Sequence, residues 1–450
     1  MESYSVGRLK CNDIKVTVPG SKSITNRALL LAAMAEGECL LKGTLFSDDS
    51  RYFLKALKDL GFEVFENEDE KYVRVVGCAG RIPNSTGTIY VGSAGTAARF
   101  LTAMLGLSSG EYIIDASEQM KKRPMKPLFD ALKEMGASID FMEEIDALPV
   151  KIRGCFVGKV NSYKDNQDNT DNLNDMNYEV PKRIKLDISK STQFLSAFLM
   201  TGCMCKHGLD IEITSDKKTG SYIDITRGMV EEFGGVISFD GDVYRVAKKA
   251  YKAMEYQIEP DVSAACYFYG IAAIYGVKSL VYNVHFDSTQ GDIRFLNVLK
   301  NMGCKVEDTA DGVVVTGPDK ACGECLKGIE YLDMNNFSDQ ALTLANVAVF
   351  ADAPTTIGNI AHIRGQECDR LNAIAVNLKA MGVEVDQKED SITIYPGHVK
   401  AADIETFEDH RVAMAFAMSG LCGVGLVIKN PLCCKKTFEN YFEIIDTLSE

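Results

Sequence analysis

The sequence predicts an α/β protein of two domains, each assembled from three copies of one supersecondary unit. Three observations carry that expectation: a recurring helix–glycine–strand pattern, a length beyond what one core serves, and an N-terminal segment that supplies what the C-terminus lacks. The pattern occurs at residues 55–64 (KALKDLGFEV) and returns at 130–139 (DALKEMGASI), 228–237 (GMVEEFGGVI), 297–306 (NVLKNMGCKV) and 377–385 (NLKAMGVEV). Each copy is an amphipathic helix closed by Gly61, Gly136, Gly234, Gly303 or Gly382 and followed by a strand. Glycine there fits the left-handed residue that ends many helices, and recurrence at about 70 to 100 residues signals repeated units. A sixth helix is expected over 438–448, with no strand after it; the alternating stretch Tyr4 to Thr17 is placed to close that unit, which puts both termini in one domain. At 450 residues the chain exceeds the size of a single core, so the six units divide as three and three.

Composition narrows the class. A hydrophobic content of 46% and a charged content of 25% are those of an ordinary globular protein. The net charge of −14 argues against a nucleic-acid partner, which leaves a basic footprint. No apolar run approaches the roughly 20 residues that cross a bilayer, and the start, Met1-Glu2-Ser3-Tyr4, has no signal pattern, so a cytoplasmic location is expected. The 14 cysteines are scattered through apolar segments, as small buried hydrophobes of a reducing compartment are. Cys322-Gly323-Glu324-Cys325 has no second pair at metal-finger spacing. Residues 161–182 form a polar, Asn/Asp-rich insertion, expected to be mobile, which lengthens the gap between the second and third repeats.

Cations and hydroxyls recur where the repeats turn. Val18 to Arg27 (VPGSKSITNR) sets Lys22 and Arg27 with Ser21, Ser23 and Thr25 at a loop and helix start, ahead of the apolar run Ala28 to Ala35. A helix N-terminus with fixed cations suits an anion. The segment lacks the upstream glycine and the Gly-Lys pair of a P-loop. Gly-rich residues 91–99 (VGSAGTAAR) suit close backbone approach by an anion. Lys121-Lys122-Arg123-Pro124 is a cationic loop, and Ser191-Thr192-Gln193 opens an apolar helix either as a cap or as a set of ligands. Residues 364–370 (RGQECDR) and 408–411 (EDHR) pair arginines with carboxylates, which reads equally as buried ion pairing; Lys435-Lys436 adds charge near the end. Together they suit substrates rich in phosphate and carboxylate, with Asp339 and Glu367 available for proton transfer. Neither a nucleophilic triad nor a metal-ligand cluster is evident, and His410 reads as structural.

In these motifs the chain resembles the EPSP synthase (3-phosphoshikimate 1-carboxyvinyltransferase) family of enolpyruvyl transferases. PGSKS-x-x-NRALLLAA, AGTAxR, KxRPM, QFLxAxLM, SYIDIT, QGDIRF, SDQALT, ECDRL, EDHRxAMAFA and KKTFENYF fall in family order over nearly the whole chain outside the insertion. The resemblance implies a two-domain inverse α/β barrel, each domain three βαβαββ repeats about a pseudo-threefold axis, with domains at 22–256 and at 1–21 plus 257–450. It implies an enzyme that transfers the enolpyruvyl group of phosphoenolpyruvate to the 5-hydroxyl of shikimate-3-phosphate, with no cofactor or metal; nothing in the sequence demands more than a monomer. Carried over by motif, shikimate-3-phosphate contacts fall on Lys22, Ser23, Arg27, Ser191, Thr192, Gln193, Thr219, Asp339 and Gln366. Phosphoenolpyruvate contacts fall on Lys22, Gly95, Arg123, Gln193, Arg370, Arg411 and Lys436. Asp339 would accept the proton of the attacking 5-hydroxyl, and Glu367 with Lys22 would manage protonation of the enol carbon.

The chain departs from the family pattern at three places. Gln366 stands where the family has Lys, Ser93 where it has Asn, and Phe100 where it has Pro. A sister enolpyruvyl transferase that acts on UDP-N-acetylglucosamine is the nearest rival; its opening motif has Asn after the Lys, here Ser23, and its mobile loop carries a cysteine, here Met120-Lys121-Lys122-Arg123. A degenerate repeat protein that only binds anionic metabolites is the non-enzymatic alternative. Retention of Asp339, Glu367, Arg123, Arg370 and Arg411 together weighs against it.

Overall fold

All five predicted helix-ending glycines lie in the left-handed region, with φ from +77° at Gly382 to +102° at Gly303. The helices they close are Asp48–Asp59, Lys126–Glu134, Ser221–Glu232, Phe295–Asn301 and Arg370–Ala380, and each leads into a strand. The computed structural model describes residues 2–156 and 183–450, so the polar insertion read at 161–182 lies outside the described residues.

The chain divides into two compact units, Lys22–Ile258 and Met1–Ser21 with Glu259–Glu450. The second division falls two residues beyond the 256/257 boundary read from the sequence. The reason is pairing: strand Glu255–Gln257 runs parallel to Ala35–Lys42, and the Ile258 N–H still donates to the Lys42 carbonyl.

Among the described residues each unit holds three sheets. In the unit Lys22–Ile258 the strands Thr86–Tyr90 and Glu111–Asp115 are parallel, and Val150–Arg153 and Ser138–Phe141 extend them antiparallel. A parallel pair requires a crossover, here the helix Gly95–Gly106. The sheet that begins with Arg183–Leu186 repeats this order. In the remaining sheet the first strand comes from the far end of the unit, Tyr251–Lys252 and Glu255–Gln257 beside Ala35–Lys42.

The other unit closes in a related way. Ser3–Ser5 lies antiparallel to Leu426–Lys429, completing the last sheet with the chain's first residues. The stretch Tyr4 to Thr17 does not serve that sheet alone, however. Asp13–Val16 opens a different one, parallel to Lys278–Tyr282, because the residues between the two strands turn the chain away.

Beyond their polar first turns the crossover helices are largely apolar and lie in the interior. Lys22–Met34, Gly95–Gly106 and Gln193–Thr201 are almost wholly buried in one unit; Val262–Tyr275, Ala341–Ala348 and His410–Gly420 are so in the other. The last three pack pairwise against one another, and Gly95–Gly106 lies against both of its counterparts. The first helix starts at Lys22, ahead of the apolar run read for it, and stops at Met34, because Ala35 joins a strand. Among the described residues no helix is long and apolar enough to cross a membrane.

Candidate active site

The buried crossover helices present their N-terminal turns, where N–H groups have no partner within the helix. The candidate side chains gather there, in one cluster per unit.

In the unit Lys22–Ile258, Lys22 begins its helix and lies 3.4 Å from Asp49 Oδ2, a buried carboxylate on the first turn of Asp48–Asp59. One turn on, Arg27 is buried, and among the described residues its hydrogen bonds go to neutral oxygens. Nε donates to Thr226 Oγ1 at 2.7 Å, Nη1 to the Ser23 carbonyl at 2.9 Å, and Nη2 to Ser196 Oγ and the Tyr222 carbonyl at 3.3 and 3.2 Å. Its guanidinium also lies 5.3 Å from the Phe100 ring, so the residue that replaces the family's proline makes a cation–π contact. Burial without a carboxylate partner pushes its pKa down to about 10, leaving a desolvated cation whose charge is unmatched.

Arg99 and Arg123 frame the start of a second helix. Arg99 Nη1 donates to Gln193 Oε1, which orients that amide, and Nη2 donates to the Pro124 carbonyl at 3.3 Å. The Arg123 guanidinium is seated against Gly95: a Cβ there would stand 2.6 Å from Arg123 Nη1. Asn26 Nδ2 donates to Thr96 Oγ1 at 2.6 Å and so ties the first helix to this one. Ser191 Oγ accepts from the Gln193 N–H at 3.3 Å, whereas Thr192 takes the cap position without a side-chain cap bond. Thr219 sits exposed in the loop ahead of Ser221–Glu232.

In the other unit everything turns on Arg370, which is buried at the start of its helix. Nε donates to Asp409 Oδ2 at 2.7 Å, Nη1 to Asp339 Oδ1 at 2.8 Å and to Gln366 Oε1, and Nη2 to Glu367 Oε2 at 2.9 Å. Burial alone would lower its pKa, but Asp409, Glu367 and Asp339 outweigh it and raise the value. Arg411 Nη2 donates to the second oxygen of Asp339 at 3.0 Å, and Lys436 Nζ lies 3.5 Å from Glu367 Oε1. Exposure separates the three acids: Asp409 is 0% exposed, Asp339 13% and Glu367 11%. Asp409 is thus a structural anchor, accepting also from the Arg411 N–H at 2.9 Å. Asp339 and Glu367 remain partly exposed.

The ion-pair reading of EDHR holds for Asp409, which accepts from Arg370, and Arg411 pairs in turn with Asp339. His410 is buried with Nδ1 3.6 Å from Asp409 Oδ1. Arg364, of the RGQECDR stretch, pairs with Asp369 at 2.7 Å at the surface, apart from Arg370's carboxylates. Cys368 donates to Asp409 at 3.6 Å, and burial and that carboxylate raise its pKa, so it stays a thiol. Cys322 and Cys325 are exposed, and no group of three His, Cys, Asp or Glu able to hold a metal occurs among the described residues.

Reasoning from sequence missed Asp49, Ser196, Thr226 and Ser263. Asp49 looked like an ordinary acid of a helix first turn, and the hydroxyls lay inside apolar helical runs where only contact reveals them.

The fold superposes on the enolpyruvyl transferase NikO of Streptomyces tendae over 99% of this chain and 97% of that one, at a TM-score of 0.73 and 13% identity. That defines the class of architecture, the two-domain inverse α/β fold. An EPSP synthase structure from Acinetobacter baumannii covers 100% of this chain and 98% of its own, with a TM-score of 0.78 and 25% identity. The family model described as EPSP synthase (3-phosphoshikimate 1-carboxyvinyltransferase) matches residues 11–445. The 3-phosphoshikimate 1-carboxyvinyltransferases of Nostoc punctiforme and Serratia proteamaculans are 39% and 38% identical to it, over 96% and 97% of this chain and 95% and 96% of theirs. The chain belongs to the EPSP synthase family of transferases.

Proposed function

We propose that this chain transfers the enolpyruvyl group of phosphoenolpyruvate to the 5-hydroxyl of shikimate-3-phosphate, releasing phosphate, in the biosynthesis of chorismate and the aromatic amino acids. The observation that carries the reading is the placement of two partly accessible carboxylates, Asp339 and Glu367, on one buried arginine flanked by Arg411 and Lys436. Proton transfer to and from a substrate that is itself anionic calls for carboxylates held beside cations.

In this mechanism Asp339 takes the 5-hydroxyl proton as that oxygen attacks C2 of phosphoenolpyruvate, and Glu367 protonates C3. The result is a tetrahedral adduct carrying a methyl group. Glu367 then removes a methyl proton, the C2–O bond to phosphate breaks, and the leaving phosphate takes up the proton held by Asp339. Arg370, Arg411 and Lys436, with Lys22, Gly95, Arg123 and Gln193, serve phosphoenolpyruvate. Lys22, Ser23, Arg27, Ser191, Thr192, Gln193 and Thr219, with Asp339, serve shikimate-3-phosphate. Gln366 accepts from Arg370 through its amide oxygen and would offer its amide N–H groups to the same substrate. The reading implies a cytoplasmic enzyme that works as a monomer.

Two substitutions separate the binding roles. Gly95→Ala should push the Arg123 guanidinium aside and raise KM for phosphoenolpyruvate about 10- to 100-fold, the worth of a hydrogen bond to a charged group. Its thermal midpoint should stay near that of the native chain, since the displaced atoms end a flexible side chain. Arg27→Met removes a cation with no carboxylate to orphan. It should weaken shikimate-3-phosphate binding, read by calorimetric titration, with folding retained. The reaction itself is tested in D2O: mass spectrometry should find the enolpyruvyl ether with deuterium at C3. A chain that makes no such ether from these two substrates does not have this function.

A further inference from the structure

Asp292 is a buried acid for which the steps above have no use. It sits in the turn Gly291–Arg294, 6% exposed, and the Ser263 hydroxyl donates to its Oδ2. Ser263 lies in the first turn of Val262–Tyr275, a helix begun by Asp261, whose side chain accepts from the Ala264 N–H at 3.0 Å. The same Ser263 oxygen accepts from Arg411 Nη2 at 3.3 Å, and that Nη2 also donates to Asp339 Oδ2 at 3.0 Å. A serine hydroxyl has one proton. With that proton committed to Asp292, its lone pairs are turned to Arg411; released, the hydroxyl is free to rotate its proton toward the guanidinium.

We propose that Asp292 is a positioning residue: through the Ser263 hydroxyl it fixes Arg411 where it bridges to Asp339, and so acts on the addition step without touching a substrate. This rests on the reading that Asp339 and Arg411 take part in the reaction. Charge adds a second effect. The groups that face Asp292 are Ser263, Cys266 and Asp261 of one helix segment, Arg411 of another and Asp339 of the turn before Ala341–Ala348. Burial, and then Asp339, push the Asp292 pKa up to about 6 against the pull of Arg411. Asp292 is therefore neutral below that pH and charged above it, and its charge makes Asp339 the stronger base.

The test compares Asp292→Asn, Ser263→Ala and Asp339→Asn in the full chain, reading circular dichroism, kcat, both KM values and the pH profile of kcat. Asp292→Asn, whose amide oxygen can still accept from Ser263, is expected to fold and to lose an inflection near pH 6. Ser263→Ala, in which the bond itself is gone, should lose about 10- to 100-fold in kcat, the scale of a small misplacement of a reacting group, yet keep the inflection, because the Asp292 charge remains. Native kcat and a native pH profile in Asp292→Asn overturn the proposal. Should that variant not fold, a native kcat in Ser263→Ala overturns it equally. If Asp339→Asn turns over normally, the assignment of Asp339 fails and the inference falls with it; if only Asp339→Asn is impaired, the inference alone fails.

Discussion

Asp339→Asn is expected to lower kcat by at least about 100- to 10,000-fold, the usual worth of a positioned general base, while the chain stays folded. The geometry separates the two effects. Asp339 bridges Arg370 and Arg411, but Arg370 keeps Asp409 at 2.7 Å and Glu367 at 2.9 Å when the Asp339 charge is removed. An amide in the same place still accepts from Arg411 through its oxygen, so the cluster loses a base rather than a shape. KM for both substrates should move far less than kcat. Single-turnover measurements check this, since they isolate addition from product release. Normal turnover in the variant would remove Asp339 from the mechanism.

Arg370→Met is expected to do the reverse and damage the fold. It strips the guanidinium shared by Asp409, Glu367 and Asp339, leaving the wholly buried Asp409 without that ion pair. Breaking a buried pair by deleting one partner costs about 3–5 kcal/mol. Arg364→Met, which breaks the half-exposed pair with Asp369, should cost no more than about 1 kcal/mol. The pH dependence has a definite sign. Carboxylates stranded in the variant acquire folded-state pKa values above their unfolded ones, so their penalty applies at neutral pH and is relieved as they protonate. The gap in thermal midpoint between native and Arg370→Met chains should therefore narrow on going from pH 8 to pH 5. A gap that stays constant would mean that the carboxylates are compensated by something other than Arg370.

The repeat was legible because its signal is local. Five outer helices end on a glycine that the backbone needs in the left-handed region, and no other residue takes that place so cheaply. The closure of the last sheet by the N-terminus was also readable, since a helix without a following strand demands a strand from elsewhere. The split of that segment was not: alternation over Tyr4 to Thr17 looks the same whether it serves one sheet or two, and only pairing decides.

The site was legible in its charges and opaque in their partners. Arg27, Arg370 and Arg411 stand out in an acidic chain, but sequence does not tell which arginine is left unmatched. Arg27 meets hydroxyls and carbonyls, whereas Arg370 meets three carboxylates, and these partners are as many as 199 and 39 positions away. Ser263 and Asp292 fell from view for the same reason. Asp292 lies in the QGDIRF stretch and Ser263 at the start of an apolar helix, but nothing in either segment marks a link to Arg411, which they join only through packing.

The most direct measurement is phosphate release from phosphoenolpyruvate, followed with shikimate-3-phosphate, with UDP-N-acetylglucosamine and with neither. Release with shikimate-3-phosphate alone is the predicted result and would show that Gln366 and Ser93 are compatible with the reaction. Release only with the sugar nucleotide, or with neither acceptor, would contradict the account.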